Sequence, residues 1–138
     1  MLTDPRIRSV HDVAPDHRRG GEVRVLLSPR TVASTSGFMG IATIAPGERI
    51  AEHLHPYSEE VLYVVAGAIA AELDGERHPL LQGDGMLIPP GVRHRLVNDG
   101  SDPAELVFHL GPLAPEPRRG HVDTETDGGP GTVSSEAA

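Results

Sequence analysis

Turns cut this chain into short β-forming runs at nearly regular spacing, and that pattern limits the folds open to it more than any other feature. The runs are EVRVLL (22–27), FMGIATI (38–44), EVLYVVAG (60–67), AIAAEL (68–73), MLIP (86–89), HRLV (94–97) and AELVFHL (104–110). Between them lie APGE, LDGE, QGDG, PPGV and NDGSDP, which carry the Gly, Pro, Asn and Asp that tight reversals use. Short strands at such intervals imply an all-β sandwich or barrel. AIAAELDGERHPL has the alanines of a helix, but its Asp74-Gly75 pair sits between alternating residues and marks a β-hairpin.

A chain of 138 residues holds one domain with tails. Residues 1–21 carry charges, two prolines and a Gly20-Gly21 end, and read as an N-terminal arm that pairs with a neighbour. Residues 22–119 make the domain, and the small, acidic, Gly-rich stretch from Gly120 to the end (120–138) is expected to be disordered. The absence of cysteine excludes disulfides, zinc-thiolate sites and thiol nucleophiles. All twelve basic residues are arginine, so no lysine is present to form an imine with a carbonyl. A net charge of −8 argues against a nucleic-acid surface, and half of it comes from Asp123, Glu125, Asp127 and Glu136. The N-terminal stretch has no apolar signal core and nothing approaches the roughly 20 apolar residues of a membrane span, so a cytoplasmic protein is expected.

The chemistry sits in two segments. In GERIAEHLHPYSEEVLYVVAG (47–67), His53 and His55 are two residues apart and face the same way in a strand, while Glu59 or Glu60 opens the next strand close by. Alone, this could be a metal site or a pair of histidines at a strand end. In GDGMLIPPGVRHRLVN (83–98), a glycine turn, an apolar strand and a Pro-Pro-Gly corner bring His94 back towards the first two. His109 alternates with Glu105 and Val107, opposite Leu106, Phe108 and Leu110; it either faces solvent or joins the metal from inside the barrel. Tyr57 and Glu59, at the mouth of the turn after His55, are the candidate catalytic residues, either of which could move a proton through water or be plain loop surface. His11, His17, His78 and His121 read as ordinary surface histidines.

The two segments follow G-x5-H-x-H-x4-E-x6-G and G-x5-P-x-G-x2-H-x3-N with every fixed position filled, and resemble the two signature motifs of the cupin superfamily. That resemblance implies a jelly-roll barrel with one divalent metal ion held inside by His53, His55, Glu60 and His94. Zinc is the first choice, and Fe, Ni, Mn or Cu would suit the same ligands. LLSPRTVASTSGFMG, EHLHPYSEEVLYVV, PPGVRHRLVN and VFHLGPLAP followed by GHVDTE narrow this further. From Leu26 to Glu125 the chain resembles the single-domain cupin cyclases of bacterial aromatic polyketide clusters, of the tetracenomycin, resistomycin and spore-pigment type. The narrower resemblance implies a metal-dependent cyclase acting on a polyketide intermediate, free or on an acyl carrier protein. It also opens an all-histidine site, with His109 as a ligand and Glu60 behind an imidazole. By the same resemblance the pocket would draw on Phe38, Met39, Ile41, Leu62, Val64, Met86 and Leu96. An Fe(II) dioxygenase of a phenolic or quinone substrate, or a non-catalytic ligand-binding or accessory cupin, are the other readings. An exposed sheet edge and outer apolar face lead us to expect a homodimer.

Overall fold

Alternation sorts side chains between a shared core and the outside in the three longest strands. In the computed structural model, which describes residues 4–125, the strands are β1 (Glu22–Leu27), β2 (Phe38–Ile44), β3 (Arg49–Leu54), β4 (Glu59–Ala66) and β5 (Ala68–Leu73), then β6 (Glu76–Leu81), β7 (Gly85–Ile88), β8 (His94–Val97), β9 (Ala104–Gly111) and β10 (Val122–Asp123). A single helical turn, α1 (Pro29–Val32), follows β1 and is capped by Ser28. Two five-stranded antiparallel sheets result, in the orders β1-β2-β9-β4-β7 and β10-β3-β8-β5-β6. Ile44, Leu62, Val64, Leu106 and Ile88 from one sheet meet Ile50, Ile69, Ala71, Leu80 and Leu96 from the other in one core. This is the expected jelly-roll arrangement, and all seven runs read as strands form strands.

Local chemistry explains the turns. Asp74 and Gly75 both take positive φ (48° and 85°), the pairing that a two-residue hairpin loop requires, and join β5 to β6. Pro79 is tolerated in β6 because that strand is the free edge of its sheet. At Gly40 a β-carbon would lie 2.7 Å from Cζ of Phe108, so glycine there makes room for the ring inside the barrel.

Both ends of the described span hold to the sheets. In the arm, Asp16 bridges Val23 of β1 within the same chain, and the Ala51 amide of β3 donates to the Arg19 carbonyl at 2.8 Å. The tail boundary at Gly120 needs correction. His121 and Glu125 are buried and β10 pairs with β3, because the acidic side chains of this stretch find guanidinium partners on the arm and on the barrel. The disorder expected of residues 126–138 lies outside the described residues. Among the described residues, no helix is long and apolar enough to cross a membrane.

Candidate metal centre

A bulge in β3 aims its histidines inward. Ile50 pairs with Leu96 and His53 with His94, so three steps on β3 answer two on β8, with Ala51 and Glu52 sharing the extra position. Simple alternation from buried Ile50 would have turned His53 outward; the bulge resets it. His55 follows two residues later on the same side and is also buried. Glu60 enters from β4 and His94 from β8, both buried.

Four ligand atoms, one from each of His53, His55, Glu60 and His94, lie within 4.8 Å of one another. Each histidine is held by a backbone carbonyl behind it. Nδ1 of His53 donates to Ala51 at 2.7 Å, Nδ1 of His55 to Gly120 at 2.9 Å, and Nδ1 of His94 to Val92 at 3.0 Å. With the proton on Nδ1, each ring turns an Nε2 lone pair into the cluster, the tautomer a metal-binding histidine needs. Glu60 Oε1 lies 3.2 Å from Nε2 of His55 and 3.4 Å from Nε2 of His94. The His94 Nε2 atom is fully buried yet has no aligned hydrogen bond. Three imidazole nitrogens and a carboxylate, converging and buried, fit a divalent cation of the Zn or Fe type.

The electrostatics agree with that convergence. Burial works to raise the pKa of Glu60, but the His55 and His94 imidazoles close beside it outweigh burial and hold the carboxyl below its ordinary range. Burial works to lower His94, but the Glu60 carboxylate outweighs it and raises the imidazole. His53 is pushed well below its ordinary value by burial and then by the neighbouring imidazoles of His94, His55 and His121.

His109 is not part of this group. Leu106, Phe108 and Leu110 take the core side of β9, so His109 lies exposed on the outer face, paired with Met39 and Val61. Tyr57 is exposed, with its hydroxyl taking a hydrogen bond from Arg119, and Glu59 is exposed on β4. Neither lines the pocket beside the histidines, whereas His121 does. Its ring stacks on His53, with centroids 4.4 Å apart and planes 11° from parallel, and its Nε2 meets Asp123 Oδ1 at 2.7 Å. Burial and then the Arg19 charge push its pKa down to about 3. Arg19 Nε in turn donates to Asp123 Oδ1 at 3.0 Å, joining the arm to β10.

The pocket opens above the cluster. Its polar end holds His53, His55, Glu60 and His121 with Arg19 and Asp16; its walls are apolar, from Val23, Val25, Phe38, Leu96, Leu106 and Phe108. Of the pocket residues expected from the sequence, Phe38 and Leu96 line it. Leu62 and Val64 lie in the closed core, and Met86 packs against that core. Met39 and Ile41 alternate with the inward Gly40 and Ala42 of β2, so they point to the outer face.

The cupin domain family model matches residues 40–110. The chain is 62% identical over 120 residues to the protein SchB of Streptomyces halstedii, covering 87% of each chain. To the polyketide synthase CurC of Streptomyces cyaneus it is 55% identical over 121 residues, 88% of this chain and 79% of that one. To the tetracenomycin polyketide synthase protein TcmJ of Streptomyces glaucescens it is 45% identical over 117 residues, 85% of this chain and 78% of that one.

Proposed function

The chain belongs to the cupin family, and we propose that within it the protein is a metal-dependent cyclase that directs regiospecific aldol cyclisation and aromatisation of a poly-β-ketone. The observation that carries this reading is the placement of three backbone-oriented imidazoles and one carboxylate at the polar end of an apolar pocket. Relatives named as polyketide synthase proteins, similar over most of their length, supply the substrate class.

A divalent ion held by His53, His55, Glu60 and His94 would polarise a substrate carbonyl, the electrophilic role that a chain without lysine cannot fill through an imine. Choosing which carbons meet is the task of the walls. Phe38, Leu106 and Phe108 leave a narrow apolar space in which a flexible chain must fold back, so the reacting carbons gain proximity and orientation. The same walls limit water, which suppresses off-path aldol products. Arg19 at the arm gives the polar end a donor for enol or carbonyl oxygens, while His121, held neutral beside the ligands, gives its one N–H to Asp123 and turns no donor to the substrate. The substrate enters free or on an acyl carrier protein. The outer face around Val61, Tyr63 and Leu87, apolar and exposed, supports a homodimer, which light scattering would measure directly.

The test is reconstitution. Zinc-loaded and chelator-treated protein would each be added to a minimal polyketide synthase and the products compared by mass spectrometry. A metal-dependent shift towards one cyclised product is expected; an unchanged distribution would sink the proposal. The same ligand set suits Fe(II), so oxygen consumption on a phenolic or quinone substrate, present with iron and absent with zinc, would favour a dioxygenase instead.

A further inference from the structure

Residues 120–125 reach the histidine cluster from outside the two motifs. Gly120 offers its carbonyl to Nδ1 of His55, and His121 lies flat on His53. Val122 and Asp123 pair with Leu54 and His53 along β3. Two ladder pairs are a weak hold, and a segment fixed by them alone would fray. Side chains add the rest. Thr124 donates from its amide to the Glu52 carbonyl at 3.1 Å and from its hydroxyl to Glu52 Oε1 at 2.9 Å. Glu125 ends the segment with a carboxylate that is only 5% exposed, ion-paired to Arg49 and, at 2.7 Å, to Arg95 Nη2. Its Oε1 also accepts from the Glu52 amide at 3.4 Å, on the bulge that aims His53.

These contacts converge on one consequence. The Gly120 carbonyl is what fixes the His55 proton on Nδ1, and the segment that follows Gly120 is the one fastened by Thr124 and Glu125. We infer that Glu125 is a positioning residue of the metal centre: its carboxylate latches residues 120–125 onto Arg49 and Arg95, and the latched segment sets the ring orientation and tautomer of His55 and packs His121 against His53. The inference rests on the metal reading of the same four ligands. It differs from a merely structural fastening, which would contribute to stability and leave the ligands as they are.

Two full-length variants test it: Glu125→Gln, which keeps the shape and removes the charge, and Arg49→Gln, a milder change at a half-exposed partner that keeps the test open should the first fail to fold. Asp99→Asn, which breaks an exposed ion pair with Arg77 elsewhere, is the control. Zinc affinity is read by competition with a chromophoric chelator, and the His55 tautomer in metal-free protein by nitrogen-15 NMR. Loss of an outer partner of a metal ligand typically weakens affinity about 10–100-fold. We expect a loss of that order for Glu125→Gln, a smaller one for Arg49→Gln, mixed tautomers at His55 in both, and no change in the control. Wild-type zinc affinity together with a single His55 tautomer in both variants would overturn the inference. Should the wild-type protein take up no zinc, the metal reading fails by itself, and the latch is then decided by the tautomer alone.

Discussion

Acidifying the metal-free protein from pH 7 to pH 5 should lower folding stability, by about 2 kcal/mol through His121 alone, since two imidazoles of the site stay neutral when folded. His121 is held down to about 3 and His53 well below the 6.5 of a free imidazole, both chiefly by burial. Unfolding lets both take a proton near pH 6.5, so stability falls as pH drops below that value and continues to fall towards the folded pKa. A group that stays neutral when folded costs about 1.4 kcal/mol per pH unit, so the descent from 6.5 to 5 costs about 2 kcal/mol through His121, and His53 adds to the loss in the same direction. His94 does not offset this within the window. Its raised pKa makes a contribution that is complete below 6.5 and fades only as pH rises above it. Carboxylates stay out as well: Glu60, Asp123 and Asp16 are lowered, and lose their contributions only as pH falls below ordinary values of 4.5 and 3.8. Urea midpoints at pH 7 and 5 in the presence of a chelator measure the effect, and His121→Gln should remove the His121 share, about 2 kcal/mol of it. A midpoint that is flat or higher at pH 5, or an undiminished pH effect in His121→Gln, would refute the assignment of neutral buried imidazoles.

Three substitutions probe other parts of the structure. His109→Ala should leave zinc affinity unchanged and alter stability by less than about 0.5 kcal/mol in urea titration, since that ring is exposed on the far face of β9. Tyr57→Phe should leave the product distribution of a reconstituted synthase as it is, because the hydroxyl engages Arg119 away from the pocket. Asn98→Ala should cost about 2–4 kcal/mol by thermal denaturation. Its buried side chain donates to the Ile44 and Asp102 carbonyls and accepts from the Gly100 amide, and alanine leaves all three short of a partner.

Residues whose conformation has a local cause could be read from the sequence. Asp74 and Gly75 announce their hairpin, and the glycines and prolines between the runs bound each strand. The spacing of His53 and His55, with Glu60 opening the next strand and His94 returning from the second motif, brought four side chains together because periodicity and turns govern their direction. His109 followed its own alternation outward; its apolar neighbours and the family resemblance both allow the inward placement, but Leu106, Phe108 and Leu110 take the core side of β9. The bulge at Ala51 and Glu52 was hidden, since it depends on pairing with a strand more than forty residues later. His121 was missed for the same reason: its partners are His53, Arg19 and Asp123 in a packed arrangement. One signal was present. Asp123 and Glu125 stand two apart in GHVDTE, a spacing that puts two carboxylates on one side of an extended strand, where arginines could meet them.

The link between Arg19 and Asp123 joins residues 104 positions apart, and the one between His55 and Gly120 spans 65. Loop-closure entropy opposes such contacts until the strands between them are paired, and chains dominated by distant pairings fold slowly. His53, His55 and Glu60 are neighbours in the chain, yet the bulge that aims the two histidines and the carbonyl that orients His55 arrive only with β8 and β10. Metal uptake should therefore follow folding rather than nucleate it, and its rate would time the closing of the barrel.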